Sequence, residues 1–305
     1  MNKDWTTDEM PDQSGKIVIV TGANSGIGYE AAKEFTRKGA ETILACRNIG
    51  KAAKAAKKIN KEIPNAKTVV MELDLNSLKS VYKFAEGFKQ KYSKLNVLLN
   101  NAGIMFVPYK TTEDGFETQV GINHLGHFAL TGLLFDLLKN TPGARVVNVS
   151  SNGHAMGKME FREDAFIYKD GKGYSRMRAY GRSKLSNLLF TYELDKRFKE
   201  SNIDAIAVAA HPGLSNTNLV RQWYARILKP FYFFFMQSAA MGALPSIRAA
   251  VDPDVKGGEY YGPGRMRGQR GPPVRVRSNA ASHNTEHAKK LWELSEKLTG
   301  VTFPI

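Results

Sequence analysis

A doubly wound α/β domain, a mostly parallel sheet with helices on both faces, is the fold class this sequence predicts, on three observations. Short β-branched runs alternate with stretches of amphipathic helical spacing, the alternation recurs along most of the 305 residues, and Gly, Asn, Ser or Asp motifs end the apolar runs. Parallel strands need crossovers of helix length, so the alternation selects a parallel sheet. Ligands of such sheets bind beyond the carboxyl ends of the strands, where these motifs lie.

The elements follow in order. "KIVIVTG" reads as a strand ending in Gly22, and "SGIGYEAAKEFTRKG" as a helix closed by Gly39. The unit repeats in "ETILACR" with "GKAAKAAKKINKEI", "AKTVVMELDL" with "SLKSVYKFAEGFKQKY", and "LNVLLNNAG" with a helical region through "INHLGHFALTGLLFDLLK". "ARVVNVSS" is followed by "RAYGRSKLSNLLFTYELDKRFKE", and a sixth strand, "IDAIAVAAHPG", closes the series. Ala288, Leu291, Trp292, Leu294 and Leu298 mark a terminal amphipathic helix before Gly300. Residues 1–14 read as an N-terminal extension and 15–305 as a single domain. Its insertions near 152–179 and 214–250 would project from the ligand-binding edge.

A 42% hydrophobic chain of this length can bury a substantial core. Its single cysteine, Cys46, excludes an internal disulfide, and no Cys, His and carboxylate spacing suits a metal. His124 and His127 lie one helical turn apart without an obvious third ligand, so no metal is expected. The start, "MNKDWTTDEMPDQSGK", lacks the pattern of a signal peptide, and the reading is a cytoplasmic protein. The greasiest stretch, "ILKPFYFFFMQSAAMGALP", is broken by Lys229, Pro230 and Gln237, too short for the ~18 apolar residues of a spanning helix. Residues 228–241 remain open between substrate lid, subunit contact and peripheral membrane-touching surface.

The net charge of +15 favours acidic partners without choosing among them. Lysines 51, 54, 57, 58 and 61, and 79, 83, 89 and 91, fall on expected solvent faces. "RMRGQRGPPVRVR" is basic but carries no nucleic-acid motif or aromatic platform, so it reads as solvated surface and nucleic acid is not an expected partner.

"TGANSGIG" joins the first strand to the first helix. Gly22, Gly26 and Gly28 let backbone approach a pyrophosphate, and Asn24, Ser25 and Ile27 complete a helix start with free N–H groups. That context makes it a dinucleotide site. The second strand ends in "LACRN", where an acidic residue would accept bonds from a free adenosine ribose. Arg47 there suits a 2′-phosphate instead, with Asn48 beside it and Lys51 a turn on. The cofactor expectation is NADP(H) over NAD(H).

Tyr180 and Lys184 stand one helical turn apart, but so do Tyr29/Lys33, Tyr168/Lys172 and Tyr192/Lys196. Spacing alone does not decide among them.

Together with Asp74–Leu75, "NNAG" at 100–103, Asn123, "VSS" at 149–151, "YGRSK" at 180–184 and "HPG" at 211–213 with Thr217, the glycine motif resembles the classical short-chain dehydrogenase/reductase family. The motifs keep the family's order over about two thirds of the chain. "LACRN", "NHLGHFALT", "RVVNVSS" and "HPGLSNTNL" look most like its retinol-dehydrogenase-like branch. The resemblance implies an NADP(H)-dependent oxidoreductase that interconverts a carbonyl and an alcohol on a moderately hydrophobic small molecule. It also implies dimers or tetramers, although a monomer stays open. Tyr180 would be general acid and base, Ser151 would hydrogen-bond the substrate oxygen, Lys184 would hold the nicotinamide ribose and favour tyrosinate, and Asn123 would support a water-linked proton path. Asn101, Ala102 and Gly103 would border the adenosine side, and Pro212, Gly213 and Thr217 the nicotinamide end. Ser151 is preferred over Ser150 by its place in the motif.

Physical chemistry narrows the tyrosines. Bringing a phenol from ~10 to neutrality takes ~4 kcal/mol, about what an ammonium at ~4 Å supplies at an effective dielectric of ~20, so Lys184 is expected to tune Tyr180. Tyr29 shares the helix committed to pyrophosphate, Tyr168 falls in the turn "YKDGKG", and Tyr192 lies ~18 Å further along its helix and turned by ~120°. His154 is read as lining the substrate entrance or bonding backbone, and His211 as shaping a turn. The competing reading is an NADP(H)-binding sensor or scaffold with little turnover, against which the intact Ser, Tyr, Lys and Asn set argues.

Overall fold

The computed structural model describes residues 4–162, 164–167, 171–215 and 236–305. An eight-stranded sheet runs in the order β3-β2-β1-β4-β5-β6-β7-β8. Its strands are β1 (Ile17–Thr21), β2 (Glu41–Cys46), β3 (Lys67–Glu72), β4 (Val97–Asn100), β5 (Ala144–Val149), β6 (Ala205–Ala210), β7 (Tyr260–Arg265) and β8 (Arg270–Arg275). All pairings are parallel except β7 with β8. The order reverses between β1 and β4, so the crevice at that point opens over the carboxyl ends of both strands.

Strand side chains alternate between two buried faces, which is why β1 is apolar up to its last residue, Thr21. Val18 and Val20 join a core with α1 (Gly26–Arg37), α2 (Ile49–Glu62) and the later helix α6 (Ala239–Val251). Ile17 and Ile19 face the other core, with α3 (Leu78–Lys89), α4 and α5 (Arg176–Glu200). Helix α4 comprises Thr118–Val120, a π-turn at Gly121–Leu125, and Gly126–Leu133. Trp5 and Met10 are buried in the first core. On α2 the anticipated lysine face is exposed, while Ala52, Ala55, Ala56 and Ile59 are buried. The last helix, α7 (Thr285–Thr299), ends at left-handed Gly300.

Two features depart from the sequence reading. The basic stretch taken for simple surface contains β8 and the turn leading into it, and β7 precedes it, so among the described residues the sheet has eight strands where six were expected. Pro272 and Pro273 hid it, because proline breaks the pattern of a strand and is tolerated only at a sheet edge, the place β8 occupies. The helical region after "NNAG" is interrupted as well, by the π-turn and again at Leu134, before a short helix at Phe135–Lys139.

Candidate active site

At the carboxyl ends of the strands lies a cavity of about 470 Å³. Its walls include Gly22, Asn24, Ser25, Gly26, Ile27 and Gly28 from the β1–α1 turn, Arg47 and Asn48 after β2, Asp74 and Leu75 after β3, and Asn101, Ala102 and Gly103 after β4. Ser150, Ser151, Tyr180, Lys184, Pro212 and Gly213 also line it. Thr217 lies outside the described residues, as do Tyr168 and most of the 228–241 run. Asn123 is fully buried beside the cavity and does not line it. Further lining residues not singled out from sequence include Ile104, Met105, Ile122, Asn152, Leu214, Ser215 and Gln269.

The glycines set the approach at the pyrophosphate end. Gly22 has φ +69, and a Cβ there would meet Ala102 at 3.1 Å. At Gly28 a Cβ would stand 2.5 Å from Asn101 Nδ2 and 2.6 Å from the Gly22 carbonyl, so only glycine lets α1 pack this near β4. Ser25, at the N-cap, makes no side-chain capping bond, and the first-turn N–H groups of α1 border the cavity. Thr21 locks the two central strand ends: its Oγ1 accepts from the Asn101 and Ala102 N–H groups, both at 2.9 Å. A glycine-bordered trough with free helix-start donors and an exposed arginine at one end fits a phosphorylated dinucleotide.

At the opposite end Tyr180 and Lys184, 6% and 5% exposed, project from α5. Lys184 Nζ donates to the Val149 carbonyl at 2.9 Å and lies 5.9 Å from the centre of the Tyr180 ring. Gly103 brings the cavity wall close to both Asn123 and Lys184; a Cβ there would stand 3.1 Å from Asn123 Oδ1 and 3.6 Å from Nζ. The two serines diverge. Ser150 Oγ donates to the Lys184 carbonyl at 2.8 Å, whereas Ser151 Oγ accepts from the Gly153 N–H at 3.1 Å and is the serine that acts on the Tyr180 phenol.

Burial pushes the Tyr180 phenol above its ordinary value, and the Ser151 hydroxyl works the other way. Burial also pushes Lys184 down to about 8. In the chain itself burial is the largest influence on the phenol, while the Lys184 ammonium donates to a carbonyl and is itself made less basic.

Asn123 sits in the π-turn of α4, a local widening often found at functional sites. Its amide exchanges bonds with the Ile104 backbone, at 2.9 and 3.0 Å, and donates to Ser183 Oγ at 2.9 Å. His127 contacts the Asn123 carbonyl through Nδ1 at 3.1 Å and Thr21 Oγ1 through Nε2 at 2.9 Å. A carbonyl only accepts, so Nδ1 carries the proton and Nε2 accepts from Thr21. His124 instead meets Ser295 Oγ at 3.0 Å. His154 bonds backbone on both sides: Nδ1 donates to the Ser151 carbonyl at 2.6 Å, and Nε2 accepts from the Asn279 N–H at 3.2 Å.

The other tyrosine–lysine pairs are placed elsewhere. Tyr29 is buried against α2, with Lys58 5.1 Å from its ring centre, and Lys33 pairs with Glu30 at 2.8 Å. Tyr192 meets Ser278 Oγ at 2.8 Å and stacks on His283.

Gln269 was illegible because a hairpin turn delivers it. Its carbonyl accepts from the Leu214 N–H at 2.9 Å, and Asn152 Nδ2 donates to Gly268 O at 3.3 Å. The β7–β8 turn thus closes the end of the site between the Ser151 loop and the β6 exit.

Buried neutral histidines carry a stability consequence. Burial pushes His124, His127 and His211 down to about 3, 4 and 4. The unfolded chain, with histidines near ~6.5, binds more protons below that pH, so stability present above it is lost as pH falls toward the folded values. The unfolding free energy should be lower at pH 5 than at pH 7.5, by up to about 2 kcal/mol per histidine, and the urea midpoint lower with it. Equal midpoints would contradict the neutral burial of these rings.

The comparisons with known proteins agree with this architecture. Residues 16–162 match the family model for short chain dehydrogenase. Retinol dehydrogenase 12 of Mus musculus is 40% identical over 294 residues, spanning 94% of this chain and 87% of the relative. Retinol dehydrogenase 11 of Homo sapiens is 39% identical, spanning 94% and 86%. The crystal structure of an uncharacterized protein from Mycobacterium Paratuberculosis superposes with a TM-score of 0.83 at 40% identity, covering 99% of this chain and 100% of the other. A short chain dehydrogenase from Escherichia coli CFT073, complexed with NADPH, shares the fold at a TM-score of 0.65 and 22% identity, over 84% and 98% of the two chains. By its sequence kinship over nearly its whole length, the chain belongs to the short-chain dehydrogenase family, in the retinol-dehydrogenase-like branch, and is an oxidoreductase of alcohol and carbonyl groups.

Proposed function

We propose that this oxidoreductase interconverts a carbonyl and an alcohol on a moderately hydrophobic small molecule, with NADP(H) preferred over NAD(H) and Tyr180 as general acid and base. One observation carries the reading: a single cavity joins Arg47 at one end to the Tyr180 phenol, the Ser151 hydroxyl and the Lys184 ammonium at the other. The bound dinucleotide supplies hydride for reduction and accepts it in oxidation. Reduction leaves charge on the substrate oxygen, which the Tyr180 hydroxyl neutralises by donating its proton while Ser151 Oγ–H stabilises the oxygen by hydrogen bonding. Lys184 stabilises the resulting phenolate and would hold the nicotinamide ribose. Asn123, packed beside Lys184, would support a water-linked proton path. Asn101 to Gly103 would border the adenosine side, and Pro212, Gly213 and Thr217 the nicotinamide end.

Ile104, Met105, Ile122 and Leu214 add apolar surface to the cavity, in keeping with the retinol dehydrogenases among the relatives. No helix among the described residues is long and apolar enough to cross a membrane. The test is a panel of retinoid, steroid, aliphatic and aromatic carbonyls offered with NADPH and with NADH. NADPH should be consumed with at least one apolar class, at a kcat/KM ~10-fold or more above that with NADH. Tight NADPH binding without turnover across the panel would turn the assignment to a cofactor-binding sensor.

A further inference from the structure

Phe106 is the one aromatic residue among the described residues in the left-handed region, with φ 54. A bulky side chain adopts that conformation only where its surroundings impose it. Its N–H donates to Gln119 Oε1 at 2.7 Å, and Gln119 is fully buried. The other half of the Gln119 amide is committed too: Nε2 donates to Tyr174 OH at 2.8 Å and to the Arg176 carbonyl at 3.0 Å. Tyr174 OH in turn reaches the Val107 carbonyl at 2.9 Å. Beneath this bracket the buried Glu117 carboxylate accepts from the Gln119 and Val120 N–H groups, at 2.8 and 3.0 Å. The loop after β4 is thereby tied to the start of α5, the helix that carries Tyr180.

The Phe106 ring packs edge-on to the Tyr180 ring, centres 5.0 Å apart at 68°. Gly153 occupies another flank; a Cβ there would stand 2.7 Å from Tyr180 Cε1. From this the geometry points to Phe106, which follows the lining residues Ile104 and Met105 and packs on Tyr180 without itself lining the cavity, as a specificity-determining residue. Held left-handed by Gln119, its ring limits the width of any molecule whose reacting carbon must reach the Tyr180 hydroxyl. Gln119 is a positioning residue that acts through Phe106. The substrates admitted are apolar carbonyl compounds narrow at the carbonyl end. This rests on Tyr180 being the phenol that meets the substrate oxygen.

Two readouts test it. The first needs no turnover: Tyr180 is acylated with N-acetylimidazole or with the wider N-(1-naphthoyl)imidazole and its peptide quantified by mass spectrometry. Phe106→Ala should raise the naphthoyl-to-acetyl ratio at Tyr180 ~10-fold, with no change at Tyr82, which is 37% exposed. Phe106→Gly, which removes the ring and the left-handed penalty together, guards against a variant that fails to fold, and Phe106→Tyr should behave as wild type. Gln119→Leu should shift the ratio in the same direction but add nothing to Phe106→Ala. The second readout compares kcat/KM for benzaldehyde and anthracene-9-carbaldehyde, whose ratio should move in parallel. An unchanged acylation ratio in the alanine and glycine variants, or full additivity of Gln119→Leu, overturns the proposal. Absence of turnover by wild type with either aldehyde bears on the oxidoreductase assignment for these substrates, and the acylation ratio still decides the role of Phe106.

Discussion

Tyr180→Phe should lower kcat by about 10³-fold, within the range a positioned proton donor contributes, and leave NADPH affinity and the melting temperature close to wild type. The substitution removes one oxygen from a residue 6% exposed and keeps the ring that Phe106 and Gly153 pack against. Ser151 remains to stabilise the developing alkoxide, so some turnover should survive. Lys184→Met should add little to the loss once the phenol is gone, because the two act as a unit. The direction of the reaction enters through pH. A phenol raised by burial stays protonated at neutral pH, ready to donate in carbonyl reduction. Alcohol oxidation needs the phenolate, so its rate should climb with pH until Lys184, held near 8, loses its charge. Stopped-flow single turnovers with NADPH fluorescence separate these steps. A folded, cofactor-binding Tyr180→Phe protein with full turnover would reject Tyr180 as the acid.

Most of the parallel sheet was legible because its strands are buried on both faces and therefore written as continuous apolar runs, as in "KIVIVTG". The cavity wall was legible for a related reason, since ligand-facing groups in this architecture stand where those runs end. What escaped had no local signature. Gln269 reaches the cavity from a turn between a strand and an edge strand carrying two prolines, and nothing near it in sequence announces that position. The π-turn at Gly121–Leu125 keeps a helical spacing of apolar residues, so its one-residue widening is silent until the hydrogen bonds are seen. The same holds for Phe106, whose left-handed backbone donates its N–H to a glutamine thirteen positions away. The electrostatics at Tyr180 were half legible: the sequence shows the neighbouring ammonium but not the burial, which pushes the phenol up and Lys184 down to about 8.

Arg47→Asp should invert the cofactor preference, lowering kcat/KM with NADPH by about 10²-fold or more and raising it with NADH. Arg47 is exposed at the end of β2 and, among the described residues, makes no ion pair. Its guanidinium is therefore free to meet a phosphate on the adenosine ribose, and Lys51 lines the same stretch of cavity. Asn48 Oδ1 caps α2 by accepting from the Lys51 N–H at 2.8 Å, which leaves its Nδ2 as a further donor on the same stretch of cavity. A hydrogen bond to a charged group contributes about 1.5–3 kcal/mol, which alone accounts for a loss of roughly 10- to 100-fold. Aspartate adds repulsion toward the phosphate and also offers an acceptor for the free ribose hydroxyls of NADH, so the two cofactors should move in opposite directions. Arg47→Ala isolates the first contribution, because it removes the attraction without adding the repulsion. Salt gives an independent check: the wild-type KM for NADPH should rise with ionic strength more steeply than that for NADH, since only the former depends on an exposed charge pair. An Arg47→Asp enzyme that kept its NADPH preference would move phosphate recognition to Lys51 or elsewhere in the cavity.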